Sequence, residues 1–144
     1  MEWKNVSEIP GYENFTNYEM KITGELRNIK FNRMRKWSCS QYPLALLSQD
    51  GDKKSIIQHA ALGYLFLPNQ AGLPCIDHID RNKQNNTIEN LHWVTYAENN
   101  QNRSIPSTNT TGEQHINKVL NHGKPVWRIN IVFYGSQYRA IFQR

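Results

Sequence analysis

Residues 75–95 read CIDHIDRNKQNNTIENLHWVT. Two short apolar stretches enclose a run of polar turn-formers. Apolar runs of four or five residues bounded by Asn, Asp and Lys read as strands, so the segment predicts strand, polar loop, strand. The loop is RNKQNNTIEN, residues 81–90. The second strand, LHWVT, carries Leu91, Trp93 and Thr95 on one side. Immediately after it, Thr95 and Glu98 stand three apart in the spacing of a capping box. That spacing predicts a helix from Tyr96 to about Asn102.

The chemistry of this unit sits at its two ends. Asp77 and His78 are adjacent where the first strand leaves the core, and Asn99 falls in the first turn of the helix. One oxygen ligand from a strand and one from a helix then converge on a point. A carboxylate with an amide oxygen suits one hard divalent cation, Mg²⁺ or Mn²⁺. His78 is the natural base to take a proton from an attacking water. The bland reading of an Asp-His pair is a turn carboxylate beside a surface histidine. Its setting among the amides argues for the sharper one. Asn side chains both donate and accept and tolerate turn geometry. Asn82, Asn85 and Asn86 are expected to tie the loop to itself, and Asn90 to hold the Asp77–His78 segment from across the turn.

Working outward, HAALGYLFL (59–67) is apolar on most sides and predicts a packed helix. His59 at its start reads as a structural, partly buried histidine, and His92 as a solvated strand position. YPLALLSQDGDKKSIIQ predicts a hairpin turning at Asp50-Gly51-Asp52, and MKITGELRNIKF another at Thr23-Gly24. Residues 104–114 read as a linker. Beyond them KPVWRINIVFYGSQYRAIFQR alternates at Trp127, Ile129, Ile131 and Phe133, turns at Gly135-Ser136 and resumes at Tyr138. A small antiparallel sheet is expected there, with Trp93 and Trp127 as core anchors.

The 144 residues carry a net charge of +5, distributed unevenly. Residues 51–104 are neutral, residues 1–50 carry +1 and residues 105–144 carry +4. The run RNIKFNRMRK (27–36) has five positive charges and no negative one. Basic flanks attract polyanions, nucleic acid first. Arg27, Lys30, Arg33, Arg35 and Lys36 are therefore candidate DNA contacts, with Lys118, Arg128 and Arg139 on the far side, joined more weakly by Asn117. No apolar run approaches a membrane span, and the N-terminus has no signal-peptide core. A cytoplasmic chain is expected, with no membrane and no small-molecule cofactor. Cys39 and Cys75 lack the close spacing of a zinc knuckle and read as small apolar residues.

The stretch from His59 to Asn102 resembles the HNH homing endonucleases carried by phages and introns. The match lies in the apolar helix, the DH dipeptide, the NN pair, NL-WVT and the closing EN. The resemblance implies a ββα-metal fold in which Asp77 and Asn99 hold one metal. It also implies that His78 is the general base and that Asn90 supports the loop. The flanks resemble the same architecture. EWKNVSEIPGYENF…KITGELRN is similar to the small modular domain that often precedes such nucleases. TTGEQHINK…VWRINIVFYG resembles the three-stranded sheet of the plant ethylene-response type DNA-binding domain. That family's sheet is followed by a helix, and this sequence stops at Arg144, so a shortened module is expected. Two positions depart from the pattern: Ala60 stands where Arg usually follows His59, and His92 where Arg is common.

The resulting expectation is an α+β protein in three parts. These are a β-rich DNA-binding module (1–50), a ββα-metal nuclease domain (51–104), and a linker with a three-stranded DNA-binding sheet (105–144). Its expected activity is site-specific, metal-dependent hydrolysis of double-stranded DNA, inside a phage-infected bacterial host. The alternative is a DNA-binding protein or decayed homing enzyme that no longer cuts. The sequence leaves target site, strand count and oligomeric state open.

Overall fold

The computed structural model describes residues 2–103, 116–121, 124–133 and 136–142. The chain divides into two compact units, Met1–Asn99 and Asn100–Arg144.

The first unit begins with β1 (Trp3–Asn5), which runs into a 3-10 turn, Val6–Glu8. Asn5 caps that turn. Its side chain accepts from the Ser7 N–H at 3.0 Å, while Glu8 accepts from the Asn5 N–H at 3.1 Å. Strands β2 (Tyr18–Lys21), β3 (Leu26–Asn28) and β4 (Arg33–Arg35) complete an antiparallel sheet in the order β1-β2-β3-β4. The expected hairpin joins β2 to β3, and Gly24 in its turn has a φ of +87°. Only glycine takes that conformation without steric cost.

A separate hairpin follows, β5 (Leu44–Gln49) and β6 (Asp52–Ile57), with Gln49 opposite Asp52. Its two loop residues, Asp50 and Gly51, have φ of 52° and 92°. Left-handed backbone at both positions is the I′ geometry that Asp-Gly favours. The residue-50 boundary expected between modules falls at this tip, within one continuous ladder.

Next, α1 (Gln58–Phe66) opens one residue earlier than its apolar pattern suggests, because Gln58 joins it. Ala61, Leu62, Gly63 and Leu65 are buried in it. Strands β7 (Cys75–His78) and β8 (Leu91–Val94) then pair antiparallel, with Asp77 opposite His92 and His78 opposite Leu91. A 3-10 turn, Ile88–Asn90, leads into β8, and α2 (Tyr96–Gln101) follows it. Thr95 caps α2 as expected. Its Oγ1 accepts from the Glu98 N–H at 3.2 Å, and Glu98 accepts from the Thr95 N–H at 2.8 Å. The last helical residue is Gln101, one short of the expected end.

One hydrophobic core ties these pieces together. It includes Val6, Phe15, Met20 and Leu26 from the first sheet region, Leu47 and Ile56 from the hairpin, Leu62 and Leu65 from α1, and Leu91 from β8. Gly63 sets the spacing of α1 on β7. A Cβ there would lie 2.1 Å from Ile76 Cδ1 and 2.8 Å from Cγ1. The glycine lets the Ile76 side chain reach the helix backbone.

The face expected for LHWVT needs correction. Leu91 and Val94, not Leu91, Trp93 and Thr95, are the buried residues. Trp93 is half-buried, edge-on to Tyr64 with ring centroids 5.0 Å apart, and its indole donates to the Leu67 carbonyl at 3.3 Å. Thr95 lies past the strand as a helix cap. The period-two reading assumed one wet face, and β8 is at least partly covered on both.

In the second unit, β9 (Ile116–Asn121), β10 (Lys124–Phe133) and β11 (Ser136–Phe142) form an antiparallel sheet in the order β11-β10-β9. Val126 is buried and Trp127 half-buried. Ile129, Ile131 and Phe133, expected to alternate with the anchor Trp127, have side chains outside the described residues, and the 104–114 linker lies outside them too.

Candidate active site

His78 ends β7 with 2 % of its surface exposed, held between an apolar wall and a polar loop. On the wall side, the His59 ring of α1 lies against it with centroids 4.8 Å apart, and Tyr42 covers His59 at 5.3 Å. Burial pulls the His59 pKa down from its ordinary 6.5 to about 4. Repulsion from His78 adds to that effect, and Asp77 opposes it. His59 is therefore neutral at pH 7, and its Nδ1 is buried with no hydrogen-bond partner.

On the loop side, Asp80 organises the polar segment. Its Oδ1 accepts from the Asn82 N–H at 2.7 Å and from Asn90 Nδ2 at 2.8 Å. Its Oδ2 accepts from Asn85 Nδ2 at 2.8 Å. These donors, led by the Asn85 and Asn90 amides, hold the Asp80 carboxyl below the usual carboxylate range. Hydrogen bonds to the charged form of an acid always act in that direction.

Asn90 braces the segment just past His78. Its backbone carbonyl accepts from the Ile79 N–H at 2.8 Å, its Oδ1 from the Asp80 N–H at 3.1 Å, and its Nδ2 reaches the Asn85 carbonyl at 2.9 Å. Asn82 and Asn85 bond within the loop, as expected of them. Asn86 does not. Its Oδ1 stands 2.7 Å from His78 Nε2, and its Nδ2 donates to Gln58 Oε1 at 2.9 Å.

Asp77 is half-buried, and one of its oxygens accepts from the His78 N–H at 2.9 Å. Across the ladder stands His92, which is half-buried, with its Nε2 buried and unpartnered. That corrects the expectation of a solvated strand position: β8 is covered on the His92 side too. Asn99 is half-buried one turn into α2, where its N–H donates to the Thr95 carbonyl at 3.0 Å. Asp77 and Asn99 thus lie on a strand and on the helix that follows its ladder partner. Sequence reasoning missed Gln58 and Asp80. Asp80 carried a readable signal, an acid two residues before an asparagine at a turn; Gln58 carried none.

Of the basic run, Lys30, Arg33, Arg35 and Lys36 are exposed, and Arg35 donates to the Leu46 carbonyl at 2.9 Å. Arg27 is committed elsewhere: it pairs with Glu19 at 2.7 Å and stacks over Trp3 at 4.0 Å. In the second unit Arg128 is exposed and sits opposite Asn117 and Ile141. Lys118 is opposite Trp127 and Arg139 opposite Asn130, with their side chains outside the described residues.

Comparison with known proteins points the same way as the geometry. The HNH endonuclease family profile matches residues 73–101, the segment holding Asp77, His78, Asn86, Asn90 and Asn99. Over 129 residues the chain is 33% identical to DNA endonuclease I-HmuI of Bacillus phage SP01, covering 88% of this chain and 71% of that protein. An uncharacterized HNH endonuclease, L245, of Acanthamoeba polyphaga mimivirus is 35% identical over 86 residues, 59% of this chain and 26% of that one. H-N-H endonuclease F-TflII of Escherichia phage T5 is 27% identical over 128 residues, 84% of this chain and 65% of that one. A solved structure described as DNA binding and cleavage by the HNH homing endonuclease I-HmuI superposes with a TM-score of 0.57 at 34% identity. That match covers 71% of this chain and 57% of the solved one. The chain therefore spans about a quarter of the mimivirus protein and under two thirds of the solved I-HmuI chain.

Proposed function

From the premise that the chain belongs to the HNH endonuclease family, we propose that it is a site-specific, metal-dependent endonuclease acting on double-stranded DNA. The observation that carries the reading is His78, a nearly buried imidazole held by Asn86, on a residue whose backbone N–H donates to the Asp77 carboxylate. His78 takes the proton from a water that attacks the phosphorus in line. Asn90 keeps the turn after His78 in place and so preserves its approach. His59, neutral and tilted against the ring, excludes water from the opposite face.

The donors fit a divalent cation, Mg²⁺ or Mn²⁺. Asp77 and Asn99 offer hard oxygens and would hold it, leaving the remaining positions to water and a phosphate oxygen. When bound, the cation supplies positive charge to the developing phosphorane and the leaving 3′ oxygen.

The assignment of labour extends to the whole chain. Residues 51–104 cut, and residues 1–50 and 105–144 hold the DNA through phosphate contacts. Lys30, Arg33, Arg35, Lys36, Lys118, Arg128 and Arg139 are the contacts proposed. Arg27 is the weakest of the set, because Glu19 already neutralises it. No helix among the described residues is long and apolar enough to cross a membrane. The proposed setting is the cytoplasm of an infected bacterium.

The test is relaxation or linearisation of a supercoiled plasmid carrying the cognate locus, with Mg²⁺ or Mn²⁺, by wild type beside His78→Ala. A loss of roughly 10²–10⁴-fold in rate is expected for the variant. Near-normal cutting by His78→Ala removes the base, and cutting that persists in excess EDTA removes the metal. A DNA shift in a gel with no cutting by either protein leaves a binding protein only.

A further inference from the structure

The amides behind His78 are joined in a chain that has a direction. It begins at the Gly24 carbonyl, in the turn between β2 and β3. A carbonyl oxygen only accepts, and Gln58 Nε2 donates to it at 3.3 Å. The other end of the Gln58 side chain is then its oxygen, and it accepts from Asn86 Nδ2 at 2.9 Å. With its nitrogen turned to Gln58, Asn86 must present its own oxygen to His78 Nε2, 2.7 Å away. An amide oxygen has no proton to give. The last contact is a hydrogen bond only when Nε2 carries the proton.

We infer that Gln58 and Asn86 are positioning residues that hold neutral His78 in its Nε2–H tautomer, so that Nδ1 is the nitrogen that accepts the proton from water. The inference rests on the reading of His78 as the base, and names which of its atoms does the work. It also gives the N-terminal sheet a part in the chemistry: the polarity of the chain is set by a backbone group of the β2–β3 turn, 54 residues before His78. The position of that carbonyl is itself fixed. The Trp37 indole donates to it at 2.8 Å, and a Cβ on Gly24 would lie 2.7 Å from Gln58 Nε2. In a neutral imidazole the hydrogen bond made by one nitrogen decides the role of the other. A reversed Asn86 would offer its NH₂ to Nε2, favour the Nδ1–H form and leave Nδ1 without a lone pair to take a proton.

The experiment is ¹H–¹⁵N spectroscopy of the imidazoles in the full-length protein at pH 8, without DNA or metal, with His78 assigned by its absence in His78→Ala. Wild type is expected to show a slowly exchanging Nε2–H for His78. Asn86→Ala loses that protected proton. Gln58→Leu, which keeps Asn86 but frees it to turn over, gives a mixture of the two tautomers. The double variant Gln58→Leu, Asn86→Asp restores the signal, because a carboxylate accepts through either oxygen and needs nothing to orient it. In cleavage, Gln58→Leu lowers kcat about tenfold with KM unchanged, as loss of an outer orienting partner does. A wild-type proton on Nδ1, or a protected Nε2–H that survives Asn86→Ala, overturns the assignment. The spectra need no turnover, so this inference fails separately from the nuclease reading, which the plasmid assay with His78→Ala decides.

Discussion

His78 has two neighbours built on opposite principles. On one side α1 packs against β7 through apolar contact, with Gly63 admitting Ile76 and Leu62 fully buried. On the other, residues 79–90 have few buried apolar groups and are held by side-chain amides and one carboxylate, Asp80. Packing is dense but weakly directional, and it decides where His78 sits. Hydrogen bonds contribute little net stability each but are directional, and they decide which way its ring and its proton face. A site that needs both position and orientation uses one support for each.

That contrast is open to attack from either side. The largest effect is expected from the polar one. Asn90→Ala leaves the Asp80 N–H and the Asn85 carbonyl without their partner and frees the turn behind His78. Cleavage should fall by about 10–100-fold, the cost typical of lost orienting partners, while denaturant unfolding shifts by only about 1 kcal/mol. Equal losses in both measurements would mean that the loop is merely structural.

The apolar side should respond the other way. Gly63→Ala forces a Cβ into Ile76, and overpacking of this kind costs about 1–3 kcal/mol of stability. Activity per folded molecule should stay near wild type, and Ile76→Val should return part of the loss. An unchanged melting temperature would show that α1 and β7 are less closely fitted than described.

A smaller effect comes from His59, at the boundary of the two supports. Its folded pKa of about 4 lies below the ordinary 6.5. Between those values the unfolded chain binds more protons, so the stabilisation is complete above about pH 6.5 and is lost as pH falls toward 4. Neighbouring His78 and Asp77 act on it with opposite signs, and burial outweighs both. Unfolding by urea in chelator at pH 7 and pH 5 should show this loss, a few kcal/mol at most, and His59→Phe should reduce it. If the variant keeps the full acid-side slope, His59 is not its source.

The smallest effect lies away from the site. Arg33→Ala or Lys36→Ala should lower the salt dependence of DNA binding by about one unit of slope each. Arg27→Ala should change it less, since Glu19 compensates that charge. A larger change from Arg27 than from Arg33 would reverse the proposed ranking.

Much of the architecture was legible because its signals are local. Asp50-Gly51 names its own turn, Thr95 and Glu98 cap a helix three residues apart, and the Asn-rich run marks a loop. Asp77 and His78 lie on a strand, Asn90 just before the next strand and Asn99 in the first turn of the helix, the elements their local pattern predicts. The face of β8 was misread, since alternation cannot report that both faces are covered. Asn86 was grouped with Asn82 and Asn85 because three asparagines in one loop look alike on paper. His92 was read as wet for the same reason that β8 was misread.

The sequence by itself determined the two hairpin turns, the strand–loop–strand–helix order of residues 75–101, the helix cap and most of the residues able to do chemistry. Each depends on groups within a few positions of one another. The tertiary structure alone decided that Gln58 reaches Asn86 across 28 residues, that His59 lies on His78, and that Arg27 is paired to Glu19. Those contacts exist because one core draws the first sheet, the β5–β6 hairpin, α1 and β8 together. Burial is a property of the whole packed chain, and no short window of residues contains it.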